Sequence, residues 1–205
     1  MRLSLRAELV GASTHVPGFA LVLPEGWGAF DTASEGLRAS TDRALSALSP
    51  AQRTALTPGV REILSSMDAA GTKGNVIRVF AQHDVPAESF LPLSIVAARF
   101  DAPGGRDLRG VGTQLIESRG AAPLDEGKTI LRWEDTSTVT IDGGDVTALT
   151  VNYLLPIPGQ PTRGLIFQAS ILRSAAGTDV DPAGVRTMTA LCDAIVSTVR
   201  WARDA

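Results

Sequence analysis

Leu149, Val151, Tyr153 and Leu155 occupy every second position of one stretch, and Leu165, Phe167, Ala169 and Ile171 repeat the pattern a few residues later. A period of two puts each set on one face of a β-strand, and two such strands so close in sequence are natural antiparallel neighbours. A chain carrying this pair must build a sheet with one face buried, and the rest of the sequence has to supply the cover.

The cover is legible at the C-terminal side. Asp181-Pro182 places a capping side chain before a proline at the first helical position, and Val185, Met188, Leu191, Cys192, Ile195 and Val199 form a continuous apolar stripe behind it. That helix is expected to lie on the sheet. Upstream, residues 129–135 and 137–141 read as two further strands, and Asp142-Gly143-Gly144-Asp145 reads as a hairpin turn because glycine tolerates positive φ.

The N-terminal half follows the same logic. Leu3, Leu5, Ala7 and Leu9 alternate with Arg2, Ser4, Arg6 and Glu8, which is a strand pattern and not the apolar core of a signal peptide. Phe19-Ala-Leu-Val-Leu23 is a second strand, limited by Pro24, with Gly26 and Trp27 behind it and Trp27 expected to close over an edge of the core. Helical starts follow at Thr32-Ala-Ser-Glu35, Ser49-Pro50 and Thr57-Pro58, giving a helical insertion over 32–71. Residues 75–81 and 91–100 read as paired strands. Residues 107–119 read as a short helix through Leu108, Val111 and Leu115, which Gly120 stops.

Strands in two groups, helices between them and one helix at the end describe a single α+β domain over 1–205: a mostly antiparallel sheet flanked by helices in an α/β/α sandwich. With 205 residues, 44% of them hydrophobic and 20% charged, one substantial core is affordable. No apolar run approaches the roughly 18 residues of a membrane-spanning helix, so a soluble, cytoplasmic protein is expected.

Chemistry is sparse. A net charge of −3 offers no broad positive field for nucleic acid. Cys192 is the lone cysteine, so one chain forms no disulfide, and its place on the apolar stripe makes it a packing residue. His15 and His83 lack partners at metal-ligand spacing, and His83-Asp84 reads as a surface turn. Glu134 and Asp135, adjacent on a strand, face opposite sides and share no substrate. No metal, cofactor or catalytic residue is expected. The candidate contact residues for a ligand or partner are Trp27 and Trp133, as aromatic walls, and Arg106 and Arg109, in the anion-friendly loop Gly104-Gly-Arg-Asp-Leu-Arg-Gly110.

The order of elements resembles the Mog1/PsbP-like fold family. The matching residues are Phe19, Pro24, Gly26 and Trp27 at the front and the strand pair around Val151-Asn-Tyr153 and Ile166-Phe-Gln168 before the last helix. The likeness spans most of the chain outside 32–71. Members of that family mostly act as non-catalytic binding modules, so the resemblance implies a protein-binding or chaperone-like adaptor, with a small-molecule or lipid-like ligand binder as the alternative. A protein partner is implied, and a homo-oligomer is allowed.

Overall fold

The computed structural model describes residues 5–10, 16–31, 75–83, 85–86, 89–127, 129–141, 144–175 and 178–202. The expected helical insertion at 32–71, Leu3, His15, Asp84 and the turn residues Asp142-Gly143 lie outside them.

Two sheets organise the described residues. The smaller has the order β1 (Leu5–Val10), β2 (Phe19–Pro24), β11 (Arg200–Trp201). The larger has eight strands, with β3 (Trp27–Phe30), β4 (Val76–Gln82), β5 (Leu93–Asp101), β9 (Arg163–Ala175), β8 (Gly144–Pro156), β7 (Leu131–Ile141) and β6 (Ala122–Pro123) in sequence across it. Its remaining member, β10 (Thr178–Asp179), pairs with the end of β9. Every pairing in both sheets is antiparallel.

The alternation in β8 and β9 sets the register. Leu149 faces Ile171, Val151 faces Ala169, Tyr153 faces Phe167 and Leu155 faces Leu165, so all eight side chains share one buried face. Onto it pack Phe19, Leu21 and Leu23 of β2, together with Met188, Cys192, Ile195 and Val196 of a long helix, α2 (Pro182–Ser197). The capping signals act as read: the Asp181 side chain accepts from the Ala183 N–H at 3.2 Å, with Pro182 opening the helix. After α2 the chain returns to the small sheet, where the Val22 N–H donates to Thr198 Oγ1 at 2.9 Å.

The opposite face of the large sheet carries a second, smaller cluster of Ala102, Leu108, Val111, Ala121, Trp133 and Leu154 beneath α1 (Leu108–Arg119). Asp107 caps α1 by accepting from the Arg109 N–H at 2.7 Å, and Gly120, at φ +65°, ends it in the left-handed conformation. Helices on both faces of an antiparallel sheet make the expected α/β/α sandwich. Gly164 is the point of closest approach: a Cβ there would lie 2.9 Å from both Leu154 Cδ1 and the Leu155 carbonyl oxygen.

Two readings change. The stretches expected as separate strands at 129–135 and 137–141 form the single strand β7, because backbone pairing with β8 runs unbroken from Leu131 to Ile141. Trp27 does not merely close an edge, since it begins β3, which pairs with β4 from Trp27 opposite Gln82 to Phe30 opposite Val79. Among the described residues, no helix is long and apolar enough to cross a membrane.

Candidate binding groove

Where α1 overhangs the sheet it leaves an open groove of about 860 Å³. Leu108 and Ile116 of α1, Leu131 of β7, Leu154 and Pro156 of β8 and Ile157 form its apolar lining. The connection between β8 and β9 closes one end and is bonded to the helix start, since the Leu108 N–H donates to the Pro161 carbonyl at 2.8 Å and the Ala102 N–H to that of Thr162 at 2.9 Å.

Two features distinguish this groove from ordinary surface. Ile116 is 50% exposed, the one exposed large apolar side chain among the described residues. The buried Gln160 Oε1 has no hydrogen-bond partner there, although the Gln160 backbone is satisfied through Ile157 and Arg163. An acceptor removed from water without a donor costs about 1–3 kcal/mol, a local cost that turning the Gln160 amide toward the groove would relieve.

The predicted contact residues are spread across the molecule. Trp27, 2% exposed, is built into the core under α2 and β2, whereas Trp133, 9% exposed, belongs to the cluster under α1 on the other face. The structure therefore does not bring the two rings together. Arg106 is turned back on its own segment, donating to the Pro103 carbonyl at 3.2 Å and to Gln114 Oε1 at 3.3 Å. Arg109 is exposed at the lip of the groove beside Asp107 and Thr113. Sequence reasoning missed Ile116 and Gln160. Ile116 had a signal, for it follows Leu115 and so sits about 100° round the helix from the packed stripe. Gln160 had none, since its isolation depends on where the β8–β9 connection meets α1.

Two networks of titratable groups tie the helices to the sheet on its two faces. Asp193 on α2 accepts at Oδ1 from Arg132 Nε at 2.8 Å and from the Tyr153 hydroxyl at 2.7 Å, and Arg132 also donates to Glu134 at 2.5 Å. Burial, reinforced by the bond to Asp193, pushes the Tyr153 hydroxyl well above the usual phenol range. Burial opposes the charge on Arg132, but its bonds to Asp193 and Glu134 outweigh that and its pKa rises. On the opposite face Asp135 accepts from Arg119 at 2.6 Å and from Trp133 Nε1 and Asn152 Nδ2 at 3.2 Å each. Glu134 and Asp135 thus do face opposite sides. His83 stacks edge-on against Phe30 at 5.7 Å. Among the described residues, no group of three or more His, Cys, Asp or Glu is placed to hold a metal ion.

Cys192 is fully buried, and burial, followed by the negative charge of Asp193, pushes its thiol up to about 12. An unfolded cysteine ionises near 9. The folded chain therefore holds the extra proton between those values, so its contribution to stability is complete below the lower value and declines by about 1.4 kcal/mol per pH unit above it. Urea midpoints measured from neutral pH up to pH 11 are expected to fall more steeply for the natural protein than for Cys192→Ala; parallel curves would show that the thiol is not shielded.

Among solved structures, the chain is similar to a point mutant of the protein Mog1, at 12% identity and a TM-score of 0.49, with 96% of each chain covered. It is also similar to the Saccharomyces cerevisiae Ran-binding protein Mog1p, at 11% identity and a TM-score of 0.49, covering 98% of this chain and 96% of that one. The likeness is one of fold. No family model matches the chain, and no curated protein matches it.

Proposed function

We propose that this chain is a non-catalytic protein-binding module whose α1 groove takes a short apolar stretch of a partner protein. The observation that carries the reading is a half-exposed Ile116 standing in one open, mostly apolar depression that Gln160 also lines. An extended peptide offers apolar side chains for the wall and, once the Gln160 side chain turns outward, a backbone N–H for its amide oxygen. Supporting the non-catalytic part, Cys192 is held as a thiol, while Tyr153 and Arg132 are both bonded to Asp193.

Panning a phage-displayed random peptide library against the folded protein is expected to enrich apolar sequences. Their affinity should fall about tenfold, or about 1.4 kcal/mol, in Ile116→Glu, and also fall in Gln160→Leu, which removes the acceptor. Both side chains lie at the groove and outside the main core, and circular dichroism verifies that each variant is folded. Enrichment of nothing, or of sequences indifferent to both substitutions, would defeat the proposal. The groove's volume also lies in the range of small-molecule sites. That rival reading would show as saturable, Ile116-dependent binding of the dye anilinonaphthalene sulfonate with no peptide selected.

A further inference from the structure

We propose that Gly112 of α1 opens a notch in the groove that takes one large apolar side chain of the bound segment, of leucine or phenylalanine size, and so selects which sequences bind. The inference rests on the peptide-binding reading above and names the anchor for it. Leu108, Gly112 and Ile116 are spaced four residues apart, so they form one row along the helix, and all three line the groove. At about 1.5 Å of rise per residue, Leu108 and Ile116 stand about 12 Å apart along the axis, with no side chain between them in that row.

Leu131 of β7 is the floor of the gap. A Cβ placed on Gly112 would lie 3.8 Å from Leu131 Cδ2, and beyond its own turn of helix no other atom comes within 4 Å. The fold therefore does not require glycine at this position. Gly120 is needed where α1 ends at φ +65°, and at Gly164 a Cβ would strike its neighbours, but Gly112 sits in regular helix, where glycine is less stable than alanine. What a side chain at 112 would remove is the open space between Leu108, Ile116 and Leu131. Gly110 is equally unencumbered and does not line the groove, which makes it the control position.

The notch is walled by aliphatic groups, so a charged or polar side chain entering it would lose water without gaining a partner. The occupant comes from a different chain. Among the described residues Ile116 is the one exposed large apolar side chain, so nothing else in them is available for a second copy to insert. Two α1 helices crossing antiparallel, each Ile116 over the other's Gly112, would set Arg109 opposite Arg119, like charge against like.

Peptides selected from a displayed random library on the natural protein, then synthesised for titration, are expected to share one large apolar position. Gly112→Leu, which fills the notch, should weaken their binding about tenfold, and Gly112→Ala about threefold. Both variants should melt about 3 °C higher than the natural protein, since a helix glycine is gone; Gly110→Leu should also melt higher and bind normally. Replacing the shared apolar position of the peptide with alanine should abolish the sensitivity to Gly112→Leu. Peptides that lose affinity in Ile116→Glu yet bind Gly112→Leu as well as the natural protein overturn the notch and leave the binding reading standing. A library that enriches nothing overturns both. Equal losses in Gly110→Leu, or a natural protein that self-associates until Gly112→Leu separates it, likewise overturn the proposal.

Discussion

Replacing Phe167 with alanine is expected to lower the unfolding free energy by about 4 kcal/mol and the melting temperature by about 12 °C. Phe167 lies on β9, between β5 and β8, and is fully buried. Its ring meets Phe19 edge-on at 5.8 Å and Phe80 at 6.4 Å, so its neighbours come from both sheets. Those walls belong to different elements held by their own backbone ladders and cannot close together over the void. Phe167→Leu, which keeps most of the volume, should cost about 1.5 kcal/mol. Denaturant unfolding with an unchanged m-value measures both. Equal losses for the two variants would mean that the site collapses freely and that the ring does not bridge the sheets.

Asp193→Ala is the second large effect, expected at about 3 kcal/mol. One carboxylate oxygen accepts from both Arg132 and Tyr153. Its removal strands a buried hydroxyl and leaves a partly buried guanidinium with Glu134 alone. Tyr153→Phe, which removes donor and need together, should cost about 1 kcal/mol. In the double variant the loss should be smaller than the sum by about 1 kcal/mol or more, because the orphaned hydroxyl is gone. Strict additivity would show that the two groups are not energetically coupled, leaving Arg132 as the polar tie between Asp193 and the sheet.

What could be read in advance was what local pattern dictates. The β8 and β9 alternation predicts the buried face and its register because a one-residue slip would turn every apolar side chain outward. The Asp181-Pro182 cap and the stripe through Cys192 predict α2 for a similarly local reason. The pattern divides β7 in two because Thr136, Ser137 and Thr138 are polar on both faces, which is how an exposed edge differs from an interior strand. β3 escaped notice because its four residues are a strand only by virtue of β4, which lies far along the chain. The groove is half visible in the sequence: Arg109 reads as a contact candidate, Ile116 stands off its helix stripe, and Gln160 acquires its meaning only from tertiary placement.

The partnership of β2 with β11 bears on biosynthesis. Phe19 pairs with Trp201 and Ala20 with Arg200, so one side of β2 finds its neighbour only after the intervening chain has been translated. While the ribosome adds those residues, β1 occupies one flank of β2 and the other stays open. Nascent chains are therefore most open to chaperone capture or mispairing there, late in elongation, until Arg200 and Trp201 emerge.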